Sequence, residues 1–372
     1  MKQFGMFSFL GLIFVSAGLL ATELNNDHET QNSAEYQAWR YDMYRSLQNH
    51  DDINVRITVA GVLDDAYDLI NNQVVDRHEI DEVTLLNLIQ QGIKDPQASW
   101  QSLMIIRRLC QSDTYKESCD ASFIDDRLIS LRPHDFSSYL WLLNRAYQEE
   151  EEKTIVVTLE RMSETSQASF LFQIDDPIRA AMAAYVMTHP IPDALPEMVD
   201  AAEKQQVNLE QLLLSMELMM LKLSGNHMLI GYEFRPLTEL CNGDRLWLAA
   251  CETIGDVLLH NSDSFIYQTI GQNLHNLVYS TQGRTEELDV LELQGKNRNQ
   301  KIMCLSKVME PAWEYTLTDI KYLDALTNSQ HEGKTMEALA QLSYHYLLQT
   351  KPDQAVDPAT CGLPYQKNTE EG

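Results

Sequence analysis

The chain is poor in the residues that break helices and in the local signatures by which many enzymes are known. Only 15 glycines and 11 prolines are spread over its 372 residues. Leu, Met, Ala, Gln and Glu are frequent instead, which favours helices over strands. Cationic side chains are scarce too: 28 Lys and Arg face 55 Asp and Glu, for a net charge of −27. Nucleic acid and anionic membrane surfaces repel such a chain, so neither is expected as a partner. It contains no Gly-x-Ser-x-Gly elbow, phosphate-cradling glycine loop, dinucleotide fingerprint, His-Glu-x-x-His or Cys-x-x-Cys. The reaction classes that need those local arrangements are thereby removed. No cysteine precedes Cys110, which excludes lipid attachment at a new N-terminal cysteine. With 44% hydrophobic residues the chain can nevertheless bury a core.

The N-terminus sets the compartment. Lys2 is its only charge, Phe7 to Leu20 is an apolar run without a charged residue, and Thr22 to Asp27 turns polar. This is the pattern of a secretory signal over residues 1–21, with cleavage expected after Ala17 or Ala21. The run is shorter than the ~20 residues that cross a bilayer as a helix. No membrane contact is expected unless this segment is retained as an anchor, and the mature chain is expected to be periplasmic or secreted.

Apolar spacing is helical nearly throughout. Leu209, Leu212, Leu213, Met216, Met219, Met220 and Leu223 recur at three- and four-residue steps, as do Leu246, Trp247, Ala250, Ile254, Val257 and Leu258. Ile266, Ile270, Leu274, Leu277 and Val278 form a third stripe. Asp95-Pro96 and Asp176-Pro177 each place an acceptor before a proline and predict helix starts. Ser163 to Ser166, Ser224-Gly225-Asn226 and Asn242-Gly243-Asp244 predict short joints between antiparallel neighbours. Ile53 to Val59 alternates like a strand, but Ala60, Val62, Leu63, Ala66 and Leu69-Ile70 continue at helical steps, so the whole run is expected to be helix. The expected organisation is a polar disordered start over residues 22–32, a helical array over 33–350 with a division into halves near 190–206, and an irregular tail over 351–372 clipped by Cys361.

From Leu131 to Tyr147 and through the next helix, the chain resembles a tetratricopeptide unit. Pro133 falls at the family's repeat-closing proline, Tyr139 at its first-helix aromatic, Leu142 at its leucine, and Leu159 and Met162 on its second helix. Leu143, Glu150 and Ile155 depart from the pattern where the family has a small residue, the turn glycine and an alanine. A second window keeps the spacing with Tyr322, Gly333, Ala338 and Leu342, placing Gly333 at the turn and Ala338 at the tight crossing. The two windows cover well under a quarter of the chain. The resemblance implies an all-α, irregular α-solenoid of antiparallel hairpins that binds a protein or peptide along a concave face. The same residues admit a compact all-α domain without repeats.

Cys110, Cys119, Cys241, Cys251, Cys304 and Cys361 are even in number, as expected of a disulfide framework in an exported chain. Sequence-local pairing selects Cys110 with Cys119, Cys241 with Cys251, and Cys304 with Cys361. No histidine stands at ligand spacing from a cysteine pair, and the scattered His227, His260, His275 and His345 form no four-residue pair. Asp64, Asp65 and Asp68 share a helical face in this reading, and Asp125-Asp126 and Glu149 to Glu152 read as solvated helix ends and turns. Glu117-Ser118 matches the catalytic dipeptide of soluble lytic transglycosylases, yet lies inside the Cys110 to Cys119 loop without that family's glycine-rich context. No catalytic residue, metal ligand or cofactor is therefore assigned. The expectation is a non-enzymatic binding protein, with an envelope hydrolase or lyase built on scattered carboxylates as the alternative.

Overall fold

The computed structural model describes residues 27–64, 67–68, 73–74, 82–191, 196–229, 234–243, 247–312, 315 and 318–362. The apolar N-terminal segment and both of its candidate cleavage points lie outside these residues. In chain order the first helices are α1 (Asp27–Leu47), α2 (Ile53–Asp64), α3 (Glu82–Lys94), α4 (Trp100–Leu109) and α5 (Ala121–Leu131). They are followed by α6 (Leu140–Gln148), α7 (Glu152–Ser163), α8 (Asp176–Thr188), α9 (Pro196–Gln205) and α10 (Leu209–Leu229). The last are α11 (Arg235–Gly243), α12 (Leu248–His260), α13 (Phe265–Gln282), α14 (Thr285–Met309), α15 (Ile320–Thr327) and α16 (Glu332–Thr350). Strand structure among the described residues is confined to two isolated bridges and to β1 (Tyr67–Asp68) paired antiparallel with β2 (Gln73–Val74). The fold is all-α.

The helices fall into two compact units that interleave along the chain. One comprises Met1–Pro133 and Phe172–Tyr232, the other His134–Leu171 and Glu233–Gly372. A single division near 190–206 is thus replaced by three crossings. The reason is packing: α8 and α10 bury their apolar faces on α1, α2 and α4, while the α6–α7 hairpin pairs with α11 and α12. In the first unit α10 is enclosed on nearly every side, from Leu212 and Leu213 to Met228 and Leu229. Met219 and Met220 are core residues there. In the second unit α12 and α13 approach closely through glycines. A Cβ added at Gly271 would lie 2.7 Å from both the Gly255 carbonyl oxygen and the Leu259 nitrogen, so only glycine permits that spacing.

Several local expectations are corrected. Helix α1 opens at Asp27, within the stretch read as a disordered start. Once the buried residues from Tyr36 onward nucleate a helix, propagation through preceding residues is cheap. Helix α2 ends at Asp64, so Asp64 and Asp68 share no helical face, and Tyr67 pairs with Val74; Asp65, Ala66, Leu69 and Ile70 lie outside the described residues. Asp95 forms a turn by accepting from the Gln97 N–H at 2.8 Å, and α4 starts at Trp100 instead. Ser99 caps that helix because Asn54, on α2, accepts from the Ser99 N–H at 2.7 Å and fixes it in place. Asp176 and Pro177 form the first turn of α8, with Asp175 as the cap.

Ser224-Gly225-Asn226 is not a joint but the interior of α10. The Phe172 ring lies over Gly225, where any Cβ would overlap it, and Asn226 Oδ1 accepts from the Phe172 N–H at 2.7 Å. Small and polar residues here make a notch for an aromatic side chain. In the second unit Glu150, at the position where the tetratricopeptide pattern has glycine, adopts φ +55° between α6 and α7. Leu143 and Ile155 are both buried in that hairpin. In α16 the buried stripe includes Met336, Leu339, Ala340, Ser343 and Leu347, whereas Ala338 faces solvent. The phase of the buried stripe, set by α14 and α15, excludes Ala338 from a tight crossing.

Candidate functional site

All six cysteines are paired as expected from local spacing. Cys110–Cys119, Cys241–Cys251 and Cys304–Cys361 have Cα separations of 5.9, 5.8 and 5.5 Å, within the normal range for a disulfide. The first closes the turn between α4 and α5, which contains Glu117-Ser118 as an exposed 3-10 turn. The second joins α11 to α12. The third clips the 3-10 turn Pro358–Gly362 onto α14. Disulfides of this kind fit a non-reducing, extracellular-type environment. Among the described residues, no helix is long and apolar enough to cross a membrane.

Buried charges leave no mark in the apolar spacing of the sequence. Asp125 does not end a solvated helix: it is wholly buried in α5, where Arg107 Nε donates to its Oδ1 at 2.9 Å. On α10, Glu217 is buried and holds three partners from α1. Tyr36 Oη donates to Oε1 at 2.5 Å, Arg40 Nε to Oε2 at 2.9 Å and Tyr44 Oη to Oε2 at 3.3 Å. Burial, then the Glu217 charge, drives the pKa of both tyrosines upward, so they remain donors at every physiological pH. A carboxylate satisfied in this way tolerates burial, and its chemistry is cohesion between α1 and α10. The i, i+4, i+8 spacing of Tyr36, Arg40 and Tyr44 was the available signal, since it places all three on one helical face.

In the second unit a set of carboxylates grips an extended segment. Between α7 and the unit's edge at Leu171, residues 166–171 have no helix of their own, yet their backbone is held on two sides. Asp135 and Gln167 form a parallel bridge, as do Ala168 and Ser262. Asp135 Oδ1 accepts from the N–H groups of Ser137 at 3.0 Å and Ser169 at 3.1 Å. Asp263, in the α12–α13 joint, accepts from Phe170 N–H at 2.9 Å through Oδ1 and from Leu171 N–H at 3.3 Å through Oδ2. Glu332, at the start of α16, accepts from Phe265 N–H at 2.5 Å, and its own N–H donates to the Asp263 carbonyl at 2.8 Å. The fully buried Tyr267 supports the cluster, with Phe136, Phe170 and Phe234 edge-on around its ring and its hydroxyl 2.9 Å from Ser137 Oγ.

Electrostatics mark these acids. Burial, opposed by the Phe170 and Leu171 amides and reinforced by Asp135, pushes Asp263 up to about 6. Burial, opposed by the Phe265 amide and reinforced by Asp263, pushes Glu332 up to about 7. Both lie well above ordinary carboxylate values. His275 is a separate case: its ring lies against Gly255, Nε2 is 3.1 Å from Asp256 Oδ1, and burial lowers its pKa against the pull of Asp256 and Glu252. His345 is exposed, and its neighbour Tyr346 stacks on Tyr315 with ring centroids 3.6 Å apart. His260 lies in the last turn of α12, while the His227 side chain lies outside the described residues. No group of three His, Cys, Asp or Glu side chains among the described residues is placed to hold a metal ion.

Comparison of the chain with protein-family models, with curated proteins and with solved structures finds no match.

Proposed function

We propose that this chain is an exported, disulfide-stapled helical-hairpin protein, loosely tetratricopeptide-like, that acts in the periplasm or after secretion by binding a protein or peptide partner. The observation that supports the reading most is the closure of all six cysteines into three disulfides, in a chain that opens with the charge and apolar pattern of a secretory signal. The buried and half-buried carboxylates are engaged in holding the chain itself. Glu217 is held by side-chain donors, and Asp135, Asp263 and Glu332 by backbone N–H donors, so each joins chain segments of its own unit.

The competing reading, an envelope hydrolase or lyase, draws on the same raised carboxyls, because groups that titrate near neutrality suit general acid–base work. The test is in vivo crosslinking of the full chain, followed by fractionation. A specific crosslinked partner in the exported fraction is the expected result. Monomer alone, or retention in the cytosol with reduced thiols, would count against the proposal, and degradation of wall material by the purified chain would favour the enzyme.

A further inference from the structure

We infer that the outward face of α14 binds a second copy of this chain, with the two α14 helices side by side and antiparallel about a two-fold axis at the height of Arg298. This surface is independent of the reading of the chain as an exported binding protein. The 25-residue helix turns one side to its own unit, where Leu291, Gly295, Leu305 and Val308 are buried. On the opposite side Asp289, Leu293, Lys296, Gln300, Met303 and Lys307 recur at alternating four- and three-residue steps, and all six are exposed. Such steps run a continuous stripe along a helix and are those by which two helices pair. Leu293 is 49% exposed and Met303 62%, with Val290 at 56% on the flank, so the face carries the apolar groups of an interaction surface. The tail turn Pro358–Gly362 meets α14 at Cys304, beside the stripe, and leaves Gln300, Met303 and Lys307 exposed.

Charge selects the occupant. From Thr285 to Met309 every acid precedes every base: Glu286, Glu287, Asp289 and Glu292 come first, then Lys296, Arg298, Lys301 and Lys307. The helix dipole favours acids in the first turn and bases in the last, but Asp289, Glu292, Lys296 and Lys301 lie farther in. Two copies laid antiparallel bring the acidic half of each helix against the basic half of the other. Leu293 and Met303 stand equally far on either side of Arg298, as do Asp289 and Lys307. The antiparallel pair therefore sets Leu293 against Met303 of the second copy and Asp289 against its Lys307, and by symmetry each contact occurs twice. Asp289 and Lys307 make no ion pair among the described residues of the chain itself, whereas Lys296 is paired with Glu292 and Lys301 with Glu337. A parallel arrangement would stack like charges at both ends of the helix and is disfavoured.

The strength of the association follows from the same inventory. Few apolar groups are covered, and the net charge of −27 opposes the approach of two copies, so the dimer belongs to the weak, reversible class. Physiological salt screens the long-range repulsion more than the contacts at the interface.

Sedimentation velocity of the purified full chain at physiological ionic strength, over a dilution series from about 1 μM to about 1 mM, should show a reversible equilibrium between monomer and dimer. Asp289→Lys sets like charges together and should weaken the dimer by about tenfold or more. Adding Lys307→Asp exchanges the two charges and should restore it. Both positions are exposed, so the fold is retained, which circular dichroism checks. Carboxyl-to-amine crosslinking of a mixture of isotopically light and heavy copies should give mixed peptides joining Asp289 to Lys307. Monomer throughout the series, a dimer that Asp289→Lys leaves unchanged or that the exchange fails to restore, or mixed crosslinks joining α14 only to other elements would overturn the inference. A different protein held on this face in place of a second copy would overturn it as well. Should a variant fail to fold, the crosslink in the wild-type chain decides.

Discussion

Arg107 Nε donates to Asp125 Oδ1 at 2.9 Å, joining the last turn of α4 to the middle of α5, three residues before Cys110 begins the disulfide that closes the same turn. Arg107 is 8% exposed and Asp125 not at all, so two unlike locks, one ionic and one covalent, hold one hairpin. Replacing Asp125 with Ala takes this carboxylate from a buried guanidinium and should cost about 3 kcal/mol in denaturant titration. The double variant Arg107→Met, Asp125→Leu removes both charges and should recover most of that loss.

The long disulfide loop sets a second expectation. Cys304 and Cys361 are 57 residues apart in sequence and Cys110 and Cys119 only 9. Loop-closure entropy assigns about 4 kcal/mol to the former and about 3 kcal/mol to the latter. Paired Cys→Ser variants should therefore melt in that order, with Cys304→Ser, Cys361→Ser the less stable of the two in a thermal scan.

Gly225 and Phe172 form a ring-in-notch contact in the first unit. Gly225→Ala should destabilise by about 2 kcal/mol through overpacking, although alanine is the better helix former. Phe172→Ala should cost about 3 kcal/mol. The double variant should lose clearly less than the sum, since the clash needs the ring, and a double-mutant cycle by chemical denaturation measures this coupling.

Glu150 carries the opposite expectation. Its φ of +55° is a backbone state in which glycine is unstrained. Its side chain is exposed, so little packing is lost, and Glu150→Gly should be neutral or stabilising by up to about 1 kcal/mol in the same assay.

Much of the fold was legible in the sequence because few residues interrupt the helical periodicity. The α6–α7 and α15–α16 hairpins, the core stripe of α10 and the local cysteine pairing all follow from spacing. What escaped was tertiary. Ser224-Gly225-Asn226 has the composition of a joint, and only the Phe172 ring against Gly225 explains why the helix continues. Asp125 and Glu217 look like solvated charges because a stripe analysis assigns polar residues outward, whereas their partners, Arg107 and Arg40, come from other helices. The carboxylate cluster was equally hidden. Asp135, Asp263 and Glu332 lie far apart in sequence, and what they hold is main chain, which leaves no side-chain pattern.

Mass spectrometry of a non-reduced digest, made from the chain recovered from its native compartment, decides whether this is an oxidised, exported helical protein held by three disulfides. The expected result is three crosslinked peptides, joining Cys110 to Cys119, Cys241 to Cys251 and Cys304 to Cys361, in a chain that lacks its first 17 or 21 residues. Six alkylatable thiols in a chain still carrying Met1 would contradict it.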